Sequence, residues 1–225
     1  MNFFNVALSA LMGVLLVVAA PSTHDDVKTI QGHNNVTYTV TDLVLNLKVN
    51  ETLTVPVQGT IQDAFNELSK YDPVQAAAIK ETIDNHSGAN VSSTSRLTST
   101  AQNADGCCTA EQYFCDISYD ADCGQIADGI AYLKTVTGTP VNGPGPGTCN
   151  RVSCSYNSAI YWCNDSWLKN PTTYVLENFT LIADGAQQVV NMCTFEQGLK
   201  ECSDVINGQQ FYSGGWNVIV EGDTC

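Results

Sequence analysis

The side chains equipped for acid–base chemistry in this sequence are carboxylates. Asp116, Asp120 and Asp122 lie close together, and Glu221 and Asp223 flank the end of a strand-like run. Paired carboxylates hydrolyse glycosidic bonds when they stand roughly 5–10 Å apart and are tuned to different pKa values. A plainer reading competes: Asp122 precedes a helical pattern as its cap, Asp120 is a rival for that role, and the others solvate an acidic surface. The plainer reading is the stronger, so no catalytic residue is assigned. A calcium loop on the same cluster fails on spacing, because the glycine and the closing bidentate glutamate are not where such a loop needs them.

Histidine is missing where nucleophilic catalysis would need it. His24, His33 and His86 all precede residue 107, so a Ser-His-Asp or Cys-His device built within residues 107–225 is excluded. All ten cysteines lie in that stretch, at Cys107, Cys108, Cys115, Cys123, Cys149, Cys154, Cys163, Cys193, Cys202 and Cys225. Their spacings contain no paired C-x2-C signature, and thiolate ligands would have to stay reduced, so disulfides are expected and no metal or cofactor is. The adjacent pair Cys107-Cys108 reads as two cysteines with separate distant partners. A bridge between neighbours is disfavoured because their Cα atoms sit about 3.8 Å apart, shorter than the usual disulfide span. The pairing of the remainder is not readable from spacing.

Aromatic residues offer a binding chemistry instead. Tyr156, Tyr161, Trp162, Trp167, Tyr212 and Trp216 crowd into two hairpin-like segments, and flat rings stack on sugar faces. Trp216 shares a strand face with Val218 and Val220 and is expected in the core. Trp162 and Trp167 stand as the candidate binding aromatics.

These residues need elements to position them. Cys123, Ile126, Ile130 and Leu133 fall on one face of a predicted helix over Asp122–Lys134, and Ala186, Val189, Val190 and Cys193 do the same over Asp184–Cys193. Each run opens with Asp-x-x-Gln, a capping-box variant. Alternation predicts one hairpin at Val152–Cys163, turning at Asn157-Ser158, and another at Phe211–Val220 around Ser213-Gly214-Gly215; Tyr113–Ile117 supplies a further strand. The order β-α-ββ-α-ββ predicts an α+β fold: a disulfide-stapled antiparallel sheet with two helices on one face, an α/β sandwich.

The first half has different physics. Phe3–Ala20 is an apolar run followed at once by polar, acidic residues, which reads as a signal peptide over 1–19. A membrane anchor is the rival reading, and the lack of flanking basic residues argues against it. Residues 20–90 carry no cysteine. They contain alternating runs at Val36–Val40 and Leu43–Val49 whose phase slips at Asp42, then a helical face at Ile61, Ala64, Phe65 and Leu68, then a second helix from Asp72-Pro73 to about Ile83. Such a unit, small and unstapled, is marginal alone and is either a retained α+β domain or a propeptide. Residues 91–106 are rich in Ser and Thr and read as a linker, leaving 107–225 as the cysteine-rich domain. Acceptor sequences for N-glycans occur at Asn35, Asn50, Asn85, Asn90, Asn164 and Asn178.

The segments DCGQIADGIAYL, CNRVSCSYNSAIYWCND, GAQQVVNMC and FYSGGWNVIVEGDTC together resemble small secreted cysteine-rich proteins of filamentous fungi. The groups concerned are the necrosis-inducing-factor-like effectors and the killer-toxin-like α/β sandwich proteins of smut fungi. The resemblance covers Asp122–Cys225, implies a stapled two-helix sandwich acting outside the cell, and carries over no catalytic residue. A net charge of -14 excludes nucleic acid as the main partner and disfavours an anionic bilayer. The expectation is therefore a secreted, extracellular, glycosylated effector or toxin-like protein. It would bind a protein or glycan target at a cell surface or wall, without stable membrane insertion and without catalysis. A wall-polysaccharide enzyme using paired carboxylates is the alternative, and a structural wall or surface protein is a third.

Overall fold

The computed structural model describes residues 27–87, 108–166 and 173–225. Its longest strand explains the phase slip at Asp42. Strand β1 (Thr29–Gln31) leads through a 3₁₀ turn at His33–Asn35 into β2 (Thr37–Lys48), whose two halves pair with different neighbours. Residues 43–48 of β2 run antiparallel to β3 (Thr54–Gly59), while residues 39–42 run parallel to a strand of the cysteine-rich half. One bent strand thus serves two partners. Helix α1 (Ile61–Tyr71) opens with a reciprocal capping box between Thr60 and Asp63, and α2 (Pro73–Ser87) starts where Asp72 Oδ1 accepts the Gln75 amide at 2.9 Å.

The cysteine-rich half follows the expected order. Strand β4 (Ala110–Cys115) and the short β5 (Ala121–Asp122) precede α3 (Cys123–Thr135), where Asp122 Oδ1 accepts the Gln125 amide. Short β6 (Val141–Asn142) then leads to the hairpin β7 (Thr148–Ser155) and β8 (Ser158–Asn164). Its turn lies one residue earlier than expected. Tyr156 and Asn157 both adopt positive φ, 45° and 62°, as a two-residue turn matched to strand twist requires. After short β9 (Tyr174–Val175), α4 (Thr180–Glu196) begins a turn before Asp184, and Asn178 Oδ1, just ahead of it, accepts the Leu181 amide at 3.2 Å. Short β10 (Val205–Ile206) and the hairpin β11 (Gly208–Tyr212) and β12 (Trp216–Gly222) close the chain.

The main sheet has eight strands in the order β1-β2-β7-β8-β12-β11-β4, with β3 attached to β2. Two expectations need correcting. The sheet is not wholly antiparallel, since β2 and β7 run parallel, and the cysteine-free segment is not a unit apart, since β1–β3 are strands of this same sheet. The reason is physical: β8 covers one edge of β7, and residues 39–42 of β2 satisfy the other.

The sheet curls and gives its faces different jobs. On one, Val152, Ile160, Trp162, Val218 and Val220 join Ile61 of α1, Ile126, Ile130 and Leu133 of α3, and Ile182 and Val189 of α4 in the principal core. Each aliphatic chain so buried stabilises by about 1.5–3 kcal/mol. Trp216 is buried there too, stacked on Tyr212 at 4.0 Å. On the other face, Tyr38, Cys149, Tyr161, Cys163 and Ile219 gather with Ile30 in a smaller core.

Disulfides bolt the layers together. Cys115–Cys193 joins β4 to α4, Cys123–Cys202 joins the start of α3 to the segment after α4, Cys149–Cys163 crosses the β7–β8 hairpin, and Cys154–Cys225 ties the C-terminus to β7. Cys108 is also disulfide-bonded, and its partner lies outside the described residues, as Cys107 does. The distant partners expected for this adjacent pair are taken, because the eight remaining cysteines bond one another.

Candidate functional site

The curl brings the edge strands β1 and β4 toward each other. The ring of His33, from the turn after β1, stacks on Phe114 of β4 at 3.4 Å and 8°, and Phe114 meets Phe211 edge-on at 6.0 Å. Along this seam the inner face of the sheet carries polar side chains beside its small core. Alternation explains their direction: β12 turns Trp216, Val218 and Val220 to the helices and Asn217, Ile219 and Glu221 inward.

At one end of the seam is a cleft of about 600 Å³, lined by His33, Thr37, Tyr38, Phe114, Asp165 and Phe211 among others. Asp165 follows directly on β8, fixed by its own amide donating to Gly215 O at 2.8 Å. Its Oδ2 accepts Asn217 Nδ2 at 2.5 Å and the Tyr38 hydroxyl at 3.3 Å. Gln209 Nε2 donates to Asn217 Oδ1 at 2.9 Å and to the Tyr38 hydroxyl at 3.2 Å, while Gln209 Oε1 accepts the His33 amide at 2.8 Å. Gln209 and Asn217 are fully buried. Burial, opposed by these two hydrogen bonds, raises the Asp165 carboxyl above the usual carboxylate range; burial first and the Asp165 charge second raise the Tyr38 hydroxyl. The result is a preorganised floor in which every partner of the carboxylate among the described residues is neutral.

At the other end is a cleft of about 410 Å³, lined by Lys28, Ser118, Tyr119, Glu221 and Asp223 among others. Glu221 is buried and accepts the Ser118 hydroxyl; burial, aided by the nearby Asp223 charge, pushes it up to about 7. Asp223 Oδ2 accepts from Lys28 Nζ, the Tyr161 hydroxyl and, at 3.2 Å, Arg151 Nη1. Burial alone would raise Asp223, but hydrogen bonds from Lys28, Tyr161 and Arg151 outweigh it and hold this carboxyl below its ordinary value.

Of the carboxylates singled out by sequence, Glu221 and Asp223 therefore meet in one cleft, and the other three do not join them. Asp122 caps α3, Asp120 Oδ1 accepts Asn207 Nδ2 at 2.6 Å, and Asp116 is exposed. Trp162 is corrected as a binding aromatic: it is fully buried in the principal core, edge-on to Tyr174. Trp167 lies outside the described residues. Among the glycan acceptors, Asn35 and Asn50 are exposed and Asn178 is half-buried. Asn164 is corrected: it is fully buried, and its Nδ2, the atom a glycan would occupy, donates to Gly143 O at 2.8 Å. Asn90 and the side chain of Asn85 lie outside the described residues.

Sequence reasoning missed His33, Tyr38 and Asp165. No local motif marks them; the only signal was polar Gln209 and Asn217 on strands whose neighbours are buried. Among the described residues no helix is long and apolar enough to cross a membrane, and no group of three or more His, Cys, Asp or Glu is gathered as a metal site. No family model, no curated protein and no solved structure matches the chain.

Proposed function

We propose that the protein is secreted and acts outside the cell by binding, and that the cleft over Asp165 receives a saccharide unit of a wall or cell surface. One observation carries this reading: a preorganised carboxylate and phenol lie at the bottom of a cleft walled by stacked His33 and Phe114 and by Phe211. Rings of this kind stack on sugar faces while a fixed carboxylate accepts hydroxyl protons. Four described disulfides support residence in an oxidising compartment, and the effector- or toxin-like role implied by the sequence resemblance fits a binding module. Incubation with insoluble wall polysaccharides tests the proposal. The wild type is retained, and Asp165→Ala, still folded and disulfide-bonded, is not. Equal retention of both, or retention of neither, overturns it.

A second reading has its own observation. Glu221, whose carboxyl is pushed up to about 7, and Asp223, held below its ordinary value, face one cleft, which is the division of labour a glycosidic acid–base pair needs. Release of reducing ends from polysaccharide that disappears in both Glu221→Gln and Asp223→Asn would support it.

A further inference from the structure

The charge balance of the Asp165 cleft points to a narrower class of ligand than saccharides in general. Asp165 has Oδ2 saturated by Asn217 and Tyr38, while Oδ1 has no hydrogen-bond partner among the described residues. The described ion pairs join Lys28 and Arg151 to Asp223, Lys70 to Glu67, Lys80 to Asp84 and Lys134 to Asp184; none reaches Asp165. A half-buried carboxylate met only by neutral donors is costly, and the cost is relieved when a cation docks on it. The second cleft shows the contrast within the same molecule, because there the protein supplies Asp223 with its own lysine and arginine.

The walls say what kind of cation fits. His33, Phe114 and Phe211 form an aromatic wall, which attracts a cation at its ring faces and packs against the apolar face of a sugar ring. Thr37, Asn34 and Gln112 complete the rim with polar groups able to meet hydroxyls. A volume of about 600 Å³ is in the range of small-molecule sites, ~300–1,000 Å³, and exceeds what a bare metal ion needs. We propose that this cleft takes the protonated amine of an amino-sugar unit, its ammonium on Asp165 and its ring against the aromatic wall. This rests on the saccharide-binding reading above and names its substrate class.

In this arrangement the ammonium donates to Asp165 Oδ1, the carboxylate oxygen that has no partner among the described residues. An N-acetylated sugar brings a neutral amide instead and leaves the half-buried charge uncompensated. A charge-assisted hydrogen bond is roughly twice as strong as a neutral one, so discrimination of about tenfold or more is expected.

Isothermal titration with glucosamine, N-acetylglucosamine and glucose trisaccharides tests this. The expected result is that the glucosamine trimer binds at least about tenfold more tightly than the other two, and that Asp165→Asn abolishes the preference while keeping its thermal midpoint within a few degrees. Asp204→Asn, which removes an exposed charge elsewhere, is the matched control and keeps the preference, because attraction to the net charge of -14 is not the cause. Equal affinity for all three sugars, with Asp165-dependent binding, overturns the amino-sugar assignment and leaves saccharide binding standing. A preference that survives in Asp165→Asn or is lost in Asp204→Asn overturns the assignment to this cleft. Binding of none of the three overturns both.

Discussion

Lys28 and Asp223 share an ion pair although 195 positions separate them. The contact joins the residue just ahead of β1 to the one just past β12, and Asp223 is also held by Arg151 of β7 and Tyr161 of β8. One carboxylate therefore ties the cysteine-free segment to the hairpins of the stapled half. Half-exposed pairs of this kind contribute at most about 1 kcal/mol each, so the larger share of the attachment comes from β2–β7 pairing and from burial of Tyr38, Leu43 and Ile61.

No described disulfide joins the two halves, yet the sheet does. A protease site placed within residues 91–106 and then cut should give two fragments that co-elute on size exclusion under native, non-reducing conditions. They should separate in urea without any reductant. Spontaneous release of the N-terminal fragment in native buffer would show that the strands of 29–59 are dispensable, as a propeptide would be.

Glu221 predicts an uncommon pH dependence. Its carboxyl is near 7 in the folded protein against an ordinary 4.5, so between those values the folded state holds a proton that the unfolded chain has released. That contribution is complete below about 4.5 and is lost as pH rises toward 7, amounting to roughly 3 kcal/mol at most. Asp223, held below its ordinary value, works in the opposite sense and loses its contribution as pH falls through the acid range. Urea midpoints should peak near pH 5 and decline toward 7.5, and Glu221→Gln should flatten that decline. A full decline in the variant would assign the effect to other groups.

The parts of this fold that were legible in sequence are those governed by local period. Cys123, Ile126, Ile130 and Leu133 recur at helical spacing wherever α3 packs, and Asp122–Gln125 marks a start that needs only its own turn. Closure of the sheet was not legible. The parallel match of residues 39–42 with 148–151 has no turn or loop signature, and it decides which face of each strand becomes enclosed. Gln209 and Asn217 look like solvent-facing members of an alternating strand, and the curl converts them into a buried network. Trp162 failed for the same reason in reverse, since its ring points at helices that only the complete sheet brings over it. The cleft residues His33 and Tyr38 come from one stretch and Asp165 from another more than 120 positions on, so only the closed seam makes them one site.

Close approach of α4 to the sheet gives a test of packing. A Cβ added at Gly185 would stand 2.6 Å from Val218 Cγ2 and 3.2 Å from its Cβ, and Val218 is fully buried. Alanine is the better helix former by about 1 kcal/mol, while overpacking a filled core costs about 1–3 kcal/mol. The clash should win, because Val218 sits mid-strand between β8 and β11 and has nowhere to shift. Gly185→Ala should be destabilised by about 1–2 kcal/mol in urea titration, and a stabilised variant would refute this packing.

Gly32 tests the floor of the cleft with the same kind of change. Its φ of -97° suits any residue, so glycine is required for space and not for backbone freedom. A Cβ there would lie 2.7 Å from Tyr38 Cε2 and 2.9 Å from Gln209 Oε1. Relief of that clash must displace the side chain that holds the His33 amide and Asn217, or the ring whose hydroxyl holds Asp165. Gly32→Ala should therefore lose stability by about 1–3 kcal/mol and also lose saccharide affinity by tenfold or more. Gly185→Ala, similarly destabilised but remote from the cleft, should bind as the wild type does. Equal affinity in both variants, measured well below their unfolding temperatures, would show that the Tyr38–Gln209–Asn217 network does not position Asp165 for binding.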